Sequence, residues 1–297
     1  MKRMILIDAY GQIYRSFFAV RGLTNKKGEP VNALYGIARF LLGLEENQPS
    51  EFGAVAFDKG KCRRRCELLP EYKAQRPPMP EDLRSQIAPI KSWLEAFGWP
   101  MLEQEGIEAD DLIASVAALR EDCRVDILSY DKDLMQLVND QVHILQPDKN
   151  SAWVTLGQAE VEEKFGIRPE FIIDYLAMLG DSSDNIRGVE GVGAKTAAKL
   201  IQQFGPIENI FAHLEEAGSA RLQENLQQSR ELLLRNRELI RLDQDALPNW
   251  AGLQTIRRNK PDWQAILALA EEQGFRSLTD TIRKKLDQHN PEQLMLF

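Results

Sequence analysis

Met4-Ile5-Leu6-Ile7-Asp8 is a run of four apolar residues that ends on a carboxylate. The arrangement returns in Ala54-Val55-Ala56-Phe57-Asp58, and again where Val125 to Leu128 leads through Ser129 and Tyr130 into Asp131-Lys132-Asp133. Short apolar runs of this kind read as parallel strands buried on both faces. Helical periodicity separates them, over 33–46, 83–97 and 109–119. Strand–helix alternation of this type predicts an α/β domain with a parallel central sheet flanked by helices. In open sheets of that class ligands bind at the carboxyl ends of the strands, so Asp8, Asp58, Asp131 and Asp133 are expected to meet on one edge. A single aspartate after a strand is ordinarily a helix cap or turn residue. Three strand ends that repeat the choice are harder to read that way.

Two further acidic groups add to the set. Glu108, Asp110 and Asp111 fall at a predicted helix start, and Asp181 and Asp184 lie three residues apart, a spacing that predicts one helical face. Carboxylates gathered this densely would hold protons rather than charge unless a cation stood among them. All-oxygen ligation suits Mg²⁺ or Mn²⁺ rather than zinc, and two such ions about 4 Å apart are the common machinery of phosphodiester hydrolysis. Nucleophilic triads are not supported: the histidines are His143, His213 and His289, and none has a suitable setting.

Between the second strand and the next helix lies a basic and then proline-rich stretch, 59–80. Lys59, Lys61, Arg63, Arg64, Arg65, Lys73 and Arg76 outnumber Glu67 and Glu71, and Tyr72 offers a ring for stacking on a base. A solvated loop is the bland alternative. The position directly after Asp58 favours contact with a nucleic acid instead. Further on, Gly188-Val189-Glu190-Gly191-Val192-Gly193-Ala194-Lys195 invites a nucleotide-loop reading, which fails because Ala194 separates the last glycine from Lys195 and no strand precedes it. A turn between two helices fits better. Gly191 and Gly193 let backbone N–H groups approach a phosphate, and Lys195 adds charge; such a contact reads no base sequence.

The 297 residues carry 43% hydrophobic content and a net charge of −8, which excludes disordered and collagen-like classes and says little about where charge is concentrated. Three cysteines give no disulfide framework, and Cys62 and Cys66 lack the second pair a zinc site needs. The amino-terminal apolar run is too short for a secretory signal, and no run approaches the ~20 residues that span a bilayer; a cytoplasmic protein is expected. Helical patterns fill the region after about residue 160, including 194–203, 220–239, 262–272 and 279–286, with no internal repeat.

The stretches I-L-I-D-A-Y, G-E-P-V-N-A-L-Y-G, E-Y-K-A-Q-R, E-A-D-D, D-K-D-L-M-Q-L and G-D-S-S-D-N-I-R-G-V-E-G-V-G-A-K-T-A, in this order, resemble the 5′-nuclease family. That family includes the 5′→3′ exonuclease domain of bacterial DNA polymerase I and the flap endonucleases, and the polymerase I domain is the nearest in kind. The resemblance covers about 4–245. It implies a PIN-like fold followed by a helix–three-turn–helix region. It also implies one metal among Asp8, Asp58, Glu108 and Asp110, and a second among Asp110, Asp131, Asp133 and Asp184, with Asp111 and Asp181 nearby. By the same resemblance Lys73 and Arg76 act on the scissile phosphate from a helical arch, Arg15 is a basic residue near the active site, and the turn around Gly191 to Lys195 holds K⁺ as well as duplex DNA.

The organisation expected is an α/β nuclease domain at 1–180 with the arch at about 59–90, a helix–hairpin–helix region at 181–247, a helical extension at 248–288 and a tail at 289–297. Arg64-Arg65 departs from the Phe-Arg that relatives often carry, and both are expected at the DNA. No polymerase follows, so a free-standing, monomeric, active 5′→3′ exonuclease and 5′-flap endonuclease of replication and repair is expected. A non-catalytic binder of branched DNA and a related nuclease acting on RNA are the alternatives. The end, Gln293-Leu294-Met295-Leu296-Phe297, resembles the short motif by which bacterial proteins dock on the sliding clamp; Gln293, Leu294, Leu296 and Phe297 would make that contact.

Overall fold

The three apolar runs form the strands Lys2–Asp8, Phe52–Phe57 and Cys123–Leu128 in a computed structural model that describes residues 2–148 and 152–289, the side chain of His289 excepted. The tail expected to reach a clamp lies outside the described residues. The chain divides into two compact units, each built from separated segments.

One unit comprises Lys2–Phe57, Pro78–Leu102 and the chain from Ala251. Here Lys2–Asp8 and Phe52–Phe57 pair in parallel, Leu6 opposite Ala54. Met4 to Ile7 and Phe52 to Phe57 are all buried, as two-sided burial of a parallel pair requires. Gly53 permits that pairing beside Trp99: an added Cβ would stand 2.7 Å from the carbonyl of Ile5 and from the indole. The helices Ala9–Ala19, Asn32–Asn47 and Glu81–Ala96 flank the strands. The region expected as an extension, 248–288, packs into this unit from Ala251 on. Its Leu253–Ile256 turn lies on the Phe52–Phe57 strand, and Phe275 and Trp263 pack on Trp93 and Phe97. The Arg258 guanidinium stacks 3.7 Å from the ring centre of Trp99 and bonds Glu45.

The other unit comprises Asp58–Pro77 and Glu103–Trp250. Cys123–Leu128 pairs in parallel with Val142–Pro147, which pairs antiparallel with Trp153–Leu156. Ala109–Ala118 and a run of helices from Gln158–Phe165 to Arg230–Ile240 complete it. The periodic stretch 220–239 is two helices, Ala220–Gln228 and Arg230–Ile240, meeting at Ser229. Parallel pairing in both units agrees with the α/β expectation. The sequence reading missed Ala9–Ala19, the two strands after 140 and the short helix Arg63–Leu68. Of the stretch expected as an arch, residues up to Pro77 belong to this second unit, whereas Glu81–Ala96 packs in the first.

Candidate metal centre

Three acidic side chains of the second unit, those of Asp58, Asp131 and Asp181, are each set by a backbone N–H. Asp58, at the end of its strand, accepts a 2.6 Å bond from the N–H of Ala109 and so caps the helix that Glu108 precedes. Asp131 accepts from the N–H of Asp133, turning the chain into the short 3₁₀ helix Asp133–Leu137. Asp181 accepts from the N–H and hydroxyl of Ser183. The helical face expected for Asp181 and Asp184 is not formed. Asp181 ends the first of the paired strands Gly180–Asp181 and Ile186–Arg187, and Asp184 lies in the tight connection between them, which closes through Asn185 at φ +62°. Asp8, in the other unit, caps Ala9–Ala19 through Gly11, and Arg15 is exposed on that helix. Asp110 sits in the first turn after Glu108.

The Tyr72-Lys73-Ala74-Gln75-Arg76 segment docks on the connection that carries Asp184. The N–H of Lys73 donates to the carbonyl of Asp184, Gln75 donates to the carbonyl of Ser182, Arg76 to that of Ser183, and Asn185 returns a bond to the carbonyl of Glu71. Lys73 is held at φ +55°, a strained conformation for a residue with a side chain. Its Nζ lies 2.5 Å from Oε1 of Glu108 and 3.7 Å from Oδ2 of Asp184, and Arg76 bonds Oδ1 of Asp184 at 2.5 Å. Tyr72 was expected to stack on a base; it is instead 8% exposed and donates its hydroxyl to Asp184 at 2.9 Å. Burial and the charges of Glu108 and Asp184 hold its phenol protonated. A cavity of about 390 Å³ opens here, lined among others by Asp58, Cys62, Tyr72, Lys73, Arg76 and Glu108.

The electrostatics are those of a site short of positive charge. Asp133 lies well above the usual carboxylate range, first because the surrounding protein disfavours its charge and then because Asp131, Asp184 and Asp181 repel it, and Asp131 is raised by burial and then by Asp184 and Asp181. Asp131 keeps exposed surface, so the protein around its carboxyl and its acidic neighbours, rather than full enclosure, act on it. Burial also raises Asp58, with Glu108 adding to the effect. Lys132, which the sequence reading passed over although it stands between two aspartates, answers part of this charge with a 3.0 Å pair to Asp181. The oxygen-only donors Asp58, Glu108, Asp131, Asp133 and Asp184 fit hard divalent cations.

Three expected site residues are bonded within the protein. Arg65 is 3% exposed, and its guanidinium bonds Glu108, both oxygens of Asp111, and the carbonyl of Leu239. Arg64 donates to the carbonyls of Glu238 and Arg241. The end of the Arg230–Ile240 helix leaves carbonyls unpaired, and the two arginines satisfy them. Asp111 was expected beside a metal, but its two oxygens are taken by Arg65 and by the N–H of Asp243. Ligand atoms of Cys62, Glu108 and Asp111 do lie within 4.8 Å of one another, and the Arg65 guanidinium bonds all three.

The glycine turn is formed between Ile172–Leu179 and Ala194–Phe204. Gly191 has φ +77°, Gly193 is the residue before the helix, and Gly191, Gly193 and Lys195 are exposed. Asn225 steadies the turn through the carbonyl of Glu190.

Comparison with known proteins agrees with this geometry. Residues 3–166 match the 5′-3′ exonuclease, N-terminal resolvase-like domain, and residues 167–264 match the 5′-3′ exonuclease, C-terminal SAM fold. The chain therefore belongs to the 5′-3′ exonuclease family. It is 40% identical over 218 residues to a 5′-3′ exonuclease of Aquifex aeolicus, covering 73% of this chain and 74% of that protein. It is also 40% identical over 279 residues to the thermostable DNA polymerase I of Thermus thermophilus, where 93% of this chain spans 32% of the relative. The chain thus spans about a third of the polymerase relatives it matches. Among solved structures, a bacteriophage T5 flap endonuclease complexed with DNA and metal ions superposes with a TM-score of 0.65 at 26% identity, covering 91% of this chain and all of that one. No described helix is long and apolar enough to cross a membrane.

Proposed function

We propose that this chain is a divalent-metal-dependent 5′-nuclease that cleaves DNA at 5′ flaps, nicks and free 5′ ends. The observation that carries the reading is the Lys73 ammonium lying between Glu108 and Asp184, with Arg76 beside it. Asp58, Glu108 and Asp110 would hold one cation, and Asp131, Asp133 and Asp184, with Asp110 shared and Asp181 adjacent, the other. Mg²⁺ or Mn²⁺ suits these donors. When bound, the ions supply the acidity that makes water a nucleophile near neutral pH and the charge that offsets the departing oxygen.

The chain's own groups do the rest. Lys73 would present Nζ to a phosphate oxygen. Arg76 adds a planar donor beside it. Tyr72 keeps a proton directed at Asp184 and so fixes which oxygen faces the cleft. The backbone N–H groups at Gly191 and Gly193, with Lys195, grip the phosphates of the duplex without reading bases, and the same turn would take K⁺. Binding then weakens steeply with salt. Gln293, Leu294, Leu296 and Phe297 would engage a sliding clamp, the protein otherwise acting as a cytoplasmic monomer; removing 293–297 then abolishes clamp capture and leaves flap cleavage unchanged.

The test is a labelled 5′-flap duplex and its RNA-flap counterpart, incubated with Mg²⁺ or with EDTA. The expected result is cleavage near the flap base only with Mg²⁺. Cleavage that persists in EDTA, or that survives Asp184→Ala at full rate, contradicts the proposal.

A further inference from the structure

Arg65 occupies an unusual place for a residue in a basic run. It is 3% exposed and sits on the short helix Arg63–Leu68, yet every direction of its fork is used. Nε donates to the carbonyl of Leu239 at 2.7 Å. Nη2 reaches Oδ1 of Asp111 at 2.9 Å and the carbonyl of Arg241 at 3.3 Å. Nη1 reaches Oδ2 of Asp111 at 2.5 Å and Oε2 of Glu108 at 2.6 Å. Asp111 is itself pinned by the N–H of Asp243 at 2.8 Å. The guanidinium is therefore anchored on three sides before it meets Glu108.

We infer that Arg65 is a positioning residue for Glu108, holding Oε2 so that Oε1 is the oxygen offered to the acidic cleft. The inference rests on the reading of that cleft as a divalent-cation site. Oε1 is the oxygen 2.5 Å from Lys73 Nζ, which itself lies 3.7 Å from Asp184. Glu108 precedes its helix with no side-chain capping bond of its own, so its backbone does not fix its rotamer. Without Arg65 the carboxylate would keep only the Lys73 ammonium and a longer contact to the Tyr72 hydroxyl, and an entering cation would have to order it. Partners one step removed from a metal commonly set ligand orientation in this way. Lysine cannot substitute. A planar fork grips Asp111 with two parallel bonds while a third nitrogen direction reaches the helix end, whereas an ammonium is a point charge on a flexible stem.

The test is calorimetric titration with Mn²⁺ alone, in the absence of DNA, on the full chain and on Arg65→Lys, Glu108→Gln and the double variant, each checked for its metal-free unfolding midpoint. Arg65→Lys is expected to weaken Mn²⁺ binding by roughly 10–100-fold. In the Glu108→Gln background the same replacement is expected to change affinity by less than about 2-fold, because the oxygen it positions is gone. A purely structural role predicts the same loss in both backgrounds. Should Arg65→Lys fail to fold, Asp111→Asn loosens the anchor of the guanidinium while preserving shape, and a smaller loss with the same dependence on Glu108 is expected. Folded variants that bind Mn²⁺ as tightly as the unaltered chain, or losses that add independently of Glu108, overturn the inference. An unaltered chain that takes up no Mn²⁺ overturns the site reading and the inference with it.

Discussion

Lys73 Nζ lies 2.5 Å from Oε1 of Glu108. This ion pair sets a lysine at strained φ against a carboxylate that caps nothing, and its surroundings explain both features. The N–H of Lys73 is bonded to the carbonyl of Asp184, so the backbone strain is held by the same connection that brings the second acidic group to the cleft. Strain retained at such a point is a common property of functional sites.

Lys73→Met keeps the length of the side chain and removes its charge. Donors aimed at a reacting phosphate are worth roughly 10²–10³ in rate, so single-turnover cleavage of a 5′ flap should fall by about that factor. Flap binding in Ca²⁺ should change by less than about 3-fold, since one of many phosphate contacts is lost. An equal loss of binding and cleavage would assign Lys73 to DNA affinity alone.

Asp133 predicts a pH dependence in the absence of metal. Its pKa rises from 3.8 in the unfolded chain to about 8 in the fold, because of burial and then the charges of Asp131 and Asp184. The folded protein thus retains a proton that the unfolded chain releases across that window, and metal-free stability falls as pH rises through it. Asp133→Asn should raise the metal-free unfolding midpoint at pH 8, and the gain should vanish near pH 4. In Mg²⁺ at pH 8 the unaltered chain should recover the difference by binding the ion. Thermal unfolding with EDTA and with Mg²⁺ reads all three.

Arg64 separates two roles that a basic residue can have. Its guanidinium donates to the carbonyls of Glu238 and Arg241 and is 35% exposed. Arg64→Ala should cost about 1 kcal/mol in urea unfolding, the scale of partly exposed bonds from a charged donor. The slope of log affinity for duplex DNA against log salt should stay unchanged. A slope reduced by about one would return Arg64 to the phosphate contacts.

At the glycine turn the roles reverse. Gly191 adopts φ +77°, where a Cβ costs roughly 1–2 kcal/mol. Gly191→Ala should weaken duplex binding through distortion of the turn, and Lys195→Ala should lower the salt slope by about one without loss of stability. Fluorescence anisotropy at several salt concentrations distinguishes the two.

The parts of this fold that were legible in the sequence are those with a short period. Met4 to Ile7 and Ala54 to Phe57 are continuous and apolar because both faces are covered, and the aspartates after them follow directly. Helices 33–46, 83–97 and 109–119 agree with the structure to within about two residues at each end, ordinary fraying for such boundaries. Ala9–Ala19 was missed because its start is read equally well as a strand-end aspartate, which Asp8 also is. The fate of the basic run could not be read from composition. Arg64, Arg65 and Lys73 have the same local character, and only packing distinguishes them. Two meet the bare carbonyls of a helix about 170 residues away, whereas the third meets Glu108. The pairing of Asp111 was hidden for the same reason: its partner Arg65 lies 46 residues back.

The central claim is that the carboxylates around Lys73 hold a pair of divalent cations. Crystals soaked in Mn²⁺ and measured at the manganese edge test it directly. The account predicts anomalous peaks in two places, one bounded by Asp58 and Glu108 and one by Asp131, Asp133 and Asp184, with Lys73 displaced from Glu108. Density free of manganese at both places, with the Lys73–Glu108 pair intact, would contradict it.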